Sequence, residues 1–242
     1  MPTCRLCKRE SALRNSHIVP EFLYGDLYND KNQMMGVNGQ GNRGWRVVQK
    51  GLRETLLCET CEQHFNEYFE KPFRTLWIER RLLPDPWDTA GVRLVQVEYA
   101  PFKLFHLSVL FRAGVSSLPT YQAVSLGPHE EVIRKLLLAR SPGDPWQYPI
   151  FGYAVIHHST KRLIQMVSQA QRSKIGGRRC YGMMYGGAEW WIGVSSDRNK
   201  ELMDAALRPN GQMPFHAVPW NEVGVVQDAS YALNRSAPHD QL

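Results

Sequence analysis

The sequence predicts an α+β protein, and three features carry this prediction. Two C-x-x-C pairs lie in the first quarter of the chain, a break with two prolines in three residues follows at 84–86, and stretches rich in aromatic and β-branched residues cluster late. We therefore expect an N-terminal module in residues 1–83 and an α+β region with a mostly antiparallel sheet in residues 88–233. Residues 234–242 are polar and are expected to fray.

The composition is that of a water-soluble globular chain. It has 242 residues, of which 43% are apolar and 21% charged, and a chain of this length buries about 70% of its surface. The most apolar stretch, 102–115, is broken by Lys103, His106 and Arg112 and is shorter than the ~20 residues that span a bilayer. Residues 1–20 lack the apolar core of a signal peptide. We expect a cytoplasmic protein without a membrane partner.

The charge balance favours a polyanionic partner. Lys and Arg number 29 against 23 acidic residues, which gives a net charge of +6, and residues 161–179 hold six basic residues and no acid. Such a run is suited to the backbone of a nucleic acid. A solvated strand face with a basic loop explains the same run equally well, so the charge alone does not decide between them.

Five cysteines give the sharpest chemical signal. Cys4 and Cys7 form one pair, Cys58 and Cys61 form another, and Cys180 stands alone. An odd count without a signal peptide argues against a disulfide framework. Each C-x-x-C turn presents two thiolates on one side of the backbone, so the two pairs predict a structural four-cysteine zinc site. Two chance pairs of buried free cysteines are the alternative, and Cys180 is interpreted as a small strand residue.

The N-terminal elements are predicted from periodicity and from turn residues. A helix is expected from Glu59 onward, because apolar residues recur there at steps of three or four, and Pro72 is expected to kink or divide it. The other expected elements are a turn at 4–7, a short extended or bent segment at 18–23, and a hairpin of 34–37 and 45–49 closed by the glycine and asparagine cluster 38–44.

The elements after the proline break are predicted in the same way. The expected helices are 102–113, 130–138 and 197–207, the last with Ser196 as N-cap. The expected strands are 92–100 and three or four strands within 149–157, 162–170 and 180–194.

Between the cysteine pairs the chain reads Ser16-His17-Ile18-Val19-Pro20, and the second pair reads Leu57-Cys58-x-x-Cys61-Glu62. In this order of motifs, residues 1–70 resemble the HNH, or ββα-metal, endonuclease family. Members commonly read C-x-x-C, [DS]-H-I-[IV]-P, a hairpin, and L-C-x-x-C followed by a metal ligand that opens a helix. The resemblance implies a zinc-stapled, treble-clef-like ββα-metal module.

The resemblance also implies roles for individual residues. His17 would be the general base, since a neutral imidazole accepts a proton from water near neutral pH. Glu62 would bind a catalytic Mg²⁺ or Mn²⁺ beside the scissile phosphate, and His64 is a further candidate ligand. Each residue also has a non-catalytic interpretation. His17 could be a hydrogen-bonded histidine in a partly buried turn, and Glu62 could be an acid in the first helical turn that interacts favourably with the helix dipole. His64 could be a surface or packing histidine.

The chain departs from the family pattern at three positions. Ser16 stands where an acid often ligates the metal, Arg53 replaces an asparagine found before the third cysteine, and Glu62 replaces a histidine or asparagine. These changes leave the identity of the metal and its full ligand set open. The candidate contacts to nucleic acid are Arg14, Asn15, Arg53, Lys174, Arg178 and Arg179.

Two functions are therefore weighed. The first is a metal-dependent endonuclease acting on DNA, of the prokaryotic kind associated with mobile elements or defence, where a homodimer would ease cutting of both strands. The second is a catalytically inactive zinc-stabilised module that binds nucleic acid or protein. A geometric criterion separates them: in a nuclease the His17 imidazole and the Glu62 carboxylate should converge on one solvent-open point, and side chains that diverge favour the binding module.

Overall fold

The computed structural model describes residues 1–37, 45–195 and 200–235. The strands are β1 (Leu13–His17), β2 (Met34–Val37), β3 (Trp45–Val48), β4 (Arg53–Cys58), β5 (Arg93–Gln96), β6 (Ile150–Ile156), β7 (Gln171–Ile175), β8 (Arg178–Tyr185), β9 (Ala188–Gly193), β10 (Gln212–Phe215) and β11 (Ala217–Pro219). The α-helices are α1 (Glu59–Phe65), α2 (Lys71–Arg74), α3 (Tyr99–Val115), α4 (His129–Ala139), α5 (Lys200–Ala205) and α6 (Gly224–Arg235). The protein is mixed α and β with mostly antiparallel sheets, as predicted.

Two small antiparallel sheets of two strands each form the N-terminal part. β1 pairs antiparallel with β4, which brings His17 opposite Arg53. β2 pairs antiparallel with β3, so the predicted hairpin is confirmed, and its loop at 38–44 lies outside the described residues. The segment 18–23, expected to be extended or bent, instead leads into a short 3₁₀ helix at Glu21–Leu27.

A continuous helical stretch follows β4 without a linking residue. α1 and α2 alternate with π-helical segments at Asn66–Glu70 and Thr75–Glu79. Four buried aromatic rings recur at steps of four residues, namely Phe65, Phe69, Phe73 and Trp77. Such steps drift around a helix of 3.6 residues per turn, and the wider π turns compensate for the drift. The rings therefore stay on the face that packs into the core.

The sheet of the C-terminal region has five strands in the order β11-β6-β9-β8-β7, and only the β11–β6 pair is parallel. The predicted strand 162–170 does not form. Leu163 makes a single bridge to Ile156, while Ile164 and Met166 pack against a small apolar cluster. The strand lies further on, in β7, because Gly176 and Gly177 take positive φ and close a tight hairpin with β8.

The remaining helices and strands differ from the predicted ones mainly in where they begin and end. α3 and α4 are each longer than predicted, and the strand expected at 92–100 is limited to β5 because Tyr99 opens α3. α5 lies within the helix expected at 197–207, whereas Ser196 lies outside the described residues. α6 extends to Arg235, so the first two residues of the expected tail are helical.

One hydrophobic core crosses the predicted boundary at residues 84–86. The Phe73 ring stacks on Phe105 of α3 with ring centroids 3.7 Å apart, and Trp77 meets Trp190 of β9 at 4.9 Å. The helical stretch after β4 is therefore packed directly on the C-terminal region, and the division of the chain into two units stays a prediction. Within the described part of the chain, no helix combines the length and apolar character needed to cross a membrane.

Candidate metal centre and catalytic cluster

The four paired cysteines come together, as predicted. The sulfur atoms of Cys4, Cys7, Cys58 and Cys61 all lie within 4.8 Å of one another. The Cys7 and Cys58 sulfurs are 3.8 Å apart. A tetrahedral zinc with Zn–S bonds of about 2.3 Å places its sulfurs about 3.8 Å apart, so the cluster has the dimensions of a zinc site.

Local backbone structure presents these sulfurs to one point. Lys8 takes a positive φ of 61° directly after Cys7 and turns the chain back, so that Thr3 bridges Glu10. Cys58 is the last residue of β4 and the N-cap of α1, and Cys61 lies in the first helical turn. The Cys58 amide donates a hydrogen bond to the Cys4 sulfur over 3.3 Å, which ties the two cysteine pairs together.

The pKa of the Cys7 thiol is lowered, whereas burial raises the pKa values of Cys58 and Cys61. Burial also raises the pKa of Cys7, but hydrogen bonds from the backbone and the side chain of Arg9 outweigh burial and lower the pKa to about 6. Zinc ligands bind as thiolates, so Arg9 favours the metal-binding form of Cys7 at neutral pH.

His17 lies at the end of β1 in a small polar cluster. Its Nε2 contacts the Glu21 carboxylate, and the imidazole is 19% exposed. Glu21 also accepts a hydrogen bond from Arg53 over 3.1 Å and one from Tyr28 over 2.7 Å. Burial and the Arg53 charge lower the pKa of His17, while Glu21 opposes them. The histidine is therefore neutral at pH 7 and is oriented by a carboxylate.

Glu62 belongs to a second cluster, beside the zinc ligands. It accepts a hydrogen bond from the hydroxyl of Ser16, whose side chain is buried. Burial raises the pKa of Glu62, and the Arg112 guanidinium and the Ser16 hydroxyl partly offset that effect. Ser16 thus ties the first turn of α1 to the first strand.

The two clusters lie on opposite faces of β1. Ser16 and His17 are consecutive strand residues, and successive side chains of a strand point to opposite faces. Ser16 contacts Glu62, whereas His17 contacts Glu21. His17 and Glu62 therefore have different nearest partners, which favours the binding module by the geometric criterion.

His64 turns away from both clusters. One of its ring nitrogens lies 2.9 Å from the carbonyl oxygen of Leu137 in α4, and its ring packs edge-on against Phe69. The packing interpretation of His64 therefore fits its contacts. Across residues 1–37, 45–195 and 200–235, only the four-cysteine group brings three or more metal-binding side chains together. The described residues thus fit a structural zinc, but they do not form a complete site for a catalytic Mg²⁺ or Mn²⁺.

The candidate contacts to nucleic acid are dispersed. Arg14 forms an ion pair with Glu59, and Asn15 is an exposed residue opposite Thr55. Arg53 is the candidate that belongs to the His17 cluster. The other three candidates, Lys174, Arg178 and Arg179, lie on β7 and β8 of the five-stranded sheet.

Sequence reasoning missed two residues of the site. Glu21 follows His17 by four residues, and recognising a helical turn after Pro20 would have found it. Arg112 is 1% exposed and lies in an almost wholly apolar helix. It donates a hydrogen bond to the carbonyl oxygen of His17 over 2.9 Å. A lone arginine in such a helix carries no sequence signal for this contact.

Comparisons of the chain with protein-family models, with curated proteins and with solved structures found no significant match. The likeness to the HNH family therefore rests on the motif residues alone.

Proposed function

We propose that this protein is an endonuclease of the HNH type that hydrolyses phosphodiester bonds, with DNA as its substrate. The observation that carries the proposal is the His17 cluster, in which an imidazole is oriented by a carboxylate and flanked by Arg53. The β1–β4 pair and the helix that follows it at once carry both this cluster and two of the cysteines: His17 lies opposite Arg53 at one end of the pair, and Cys58 lies opposite Leu13 at the other. This order of elements is the one that the family resemblance implies.

His17 is the proposed general base. With Nε2 held by Glu21, Nδ1 is the nitrogen that takes a proton from the attacking water. The lowered pKa of His17 keeps the imidazole neutral and ready to accept that proton at pH 7. Glu21 stabilises the imidazolium that forms, as a carboxylate does in other histidine pairs.

Arg53 is the proposed phosphate contact. Its side chain is 27% exposed, and Arg53 is the residue opposite His17 in the β1–β4 pair. A guanidinium binds phosphate oxygens in a bidentate manner and stabilises the charge that develops on them. It would therefore neutralise the phosphate beside the water that His17 activates.

Glu62 is the proposed contact of a divalent ion, with the Ser16 hydroxyl beside it. Mg²⁺ is commonly held by one or two carboxylates together with substrate phosphates and water, so an incomplete protein ligand set is compatible with binding alongside substrate. Such an ion would supply positive charge to a phosphate group that reaches the face of β1 occupied by Ser16. This divalent ion is not needed for the roles proposed for His17, Glu21 and Arg53.

A non-catalytic zinc-stabilised module is the second candidate, and one observation favours it. His17 and Glu62 contact different partners, Glu21 and Ser16, and are not in one cluster. In this case the basic chain would bind nucleic acid in a salt-sensitive manner without breaking it.

A substrate screen separates the two functions. The full chain is incubated with supercoiled plasmid, single-stranded DNA and RNA, each with Mg²⁺ or Mn²⁺, and binding is measured on the same samples at two salt concentrations. Strand breaks that require active protein support the nuclease. Salt-sensitive binding to all substrates with no breaks in either metal contradicts it and supports the second candidate.

A further inference from the structure

Arg112 lies in α3, outside residues 1–70 that resemble the nuclease family, yet its guanidinium reaches the end of β1. Its Nη1 donates hydrogen bonds to the carbonyl oxygen of His17 over 2.9 Å and to Oε1 of Glu70 over 2.8 Å. The Arg112 side chain is 1% exposed and that of Glu70 is 17% exposed. These contacts are therefore shielded from water, and hydrogen bonds in such a low-dielectric environment are stronger than in water.

The other nitrogens of the guanidinium are held on α3 itself. Nε donates to the carbonyl oxygen of Ser108 over 3.3 Å, and Nη2 donates to the Ser108 hydroxyl over 3.4 Å. The group also lies over the Phe65 ring, 5.4 Å from its centroid. A planar guanidinium makes these contacts at once, whereas the single ammonium of a lysine cannot.

We infer that Arg112 is a positioning residue, which fixes the backbone of His17 so that the imidazole meets Glu21 and Arg53 in one geometry. The inference rests on the proposed function, because it assigns Arg112 a part in the work of His17. It also gives the C-terminal region a direct role in the site, since α3 belongs to that region. The amide of Ile18 is held by the carbonyl oxygen of Leu52 over 3.1 Å, so both sides of the His17 peptide segment are anchored.

Charged and titratable groups face His17 from each element packed against it. Glu21 and Tyr24 come from the 3₁₀ helix, Arg53 from β4 and Arg112 from α3. Burial, Arg53 and Arg112 lower the pKa of His17, and Glu21 raises it. Removal of the Arg112 charge therefore raises the pKa of His17, whereas a lysine at this position keeps part of the charge.

The test compares Arg112→Lys with Arg134→Lys in the full chain. Arg134 of α4 is a matched control, since it also donates to a backbone carbonyl, that of Leu6 over 2.7 Å, but this carbonyl lies in the turn between Cys4 and Cys7 and not at the end of β1. We expect Arg112→Lys to reduce kcat by about 10-fold to 100-fold, with KM nearly unchanged and the His17 ring resonances shifted in NMR spectra. Arg134→Lys should leave both at wild-type values. An Arg112→Lys protein with wild-type kcat and unshifted His17 resonances would overturn the inference.

A second variant separates this inference from the proposed function. In Arg112→Met the charge is lost, so an NMR titration should show a higher pKa for His17 whether or not the protein cleaves nucleic acid. If no substrate is cleaved, the proposed function fails, but the titration and the resonances still decide the role of Arg112. An unchanged His17 pKa in folded Arg112→Met would contradict the inference that Arg112 acts on His17. If neither arginine variant folds, Ser108→Ala should shift the His17 resonances in a folded protein, and unshifted resonances contradict the inference.

Discussion

The hydroxyl of Ser16 donates a hydrogen bond to the carboxylate of Glu62, 46 residues further along the chain. This contact joins the first strand to the first turn of α1, directly beside the cysteine cluster. The neighbouring residue His17 points to the other face and contacts Glu21. The consecutive residues Ser16 and His17 therefore belong to two different polar clusters, one with Glu62 and the other with Glu21.

Replacing Ser16 with alanine should destabilise the protein. The partly buried Glu62 carboxylate would lose a hydrogen-bond donor, which costs about 1–2 kcal/mol. Zinc content should not change, since no cysteine is touched. Urea unfolding measures the effect, with Ser11→Ala as a control expected to stay within about 0.5 kcal/mol of wild type. Equal stability of the two variants would show that the Ser16–Glu62 contact contributes nothing.

Purified protein should contain one zinc per chain, and Cys58→Ser should lose it. Removing a structural metal site costs several kcal/mol, which corresponds to a fall in Tm of about 10 °C or more for a domain of this size. Cys180→Ser is the matched control, because Cys180 is also buried but lies on β8, away from the cluster. Elemental analysis and thermal unfolding report both effects. Zinc retained in Cys58→Ser would rule out the four-cysteine site.

Catalysis should depend on pH through His17. Burial and Arg53 lower the pKa of His17, so the neutral imidazole persists below its ordinary pKa of about 6.5. Cleavage should therefore be lost only as the pH falls through that lowered pKa. Arg53→Gln removes one of the causes and should move the acid limb of kcat/KM to higher pH, while Arg93→Gln, an exposed change on β5, should not. An acid limb that moves down or stays in place in Arg53→Gln contradicts the assignment.

Glu21→Gln should impair turnover without unfolding the protein. Glutamine keeps the size of the side chain but loses the charge that stabilises the imidazolium and orients the ring. A fall in kcat of about 10-fold to 100-fold is expected. Asp26→Asn, an exposed change in the same 3₁₀ helix, serves as the control. Wild-type kcat in Glu21→Gln would remove Glu21 from the mechanism.

The parts of the fold that follow from local signals were predictable from the sequence. The cysteine spacing predicted the metal cluster, and the glycine and asparagine cluster at 38–44 predicted the hairpin of β2 and β3. The pairing of β1 with β4 was not predicted, because it joins segments about 40 residues apart and β1 is too polar to show strand alternation.

The site was predictable only in part. His17 and Glu62 were singled out by the family motif, but their partners, Glu21 and Ser16, are set by the packing of the chain, which a motif does not encode. To predict that Glu21 contacts His17, one would have had to recognise the helical turn that begins at Glu21, and the hydrophobic periodicity did not reveal that turn. The contact of Arg112 depends on tertiary packing of α3 against the first strand and has no local signature.

The most direct test of the account is the rate of phosphodiester cleavage by His17→Ala, measured beside wild type on plasmid DNA in Mg²⁺ or Mn²⁺. The variant should keep its fold and its zinc, since His17 is not a zinc ligand, and its cleavage should fall by at least about 100-fold, as expected for a general base. Cleavage by folded, zinc-loaded His17→Ala at the wild-type rate would contradict the central claim that this imidazole activates the attacking water.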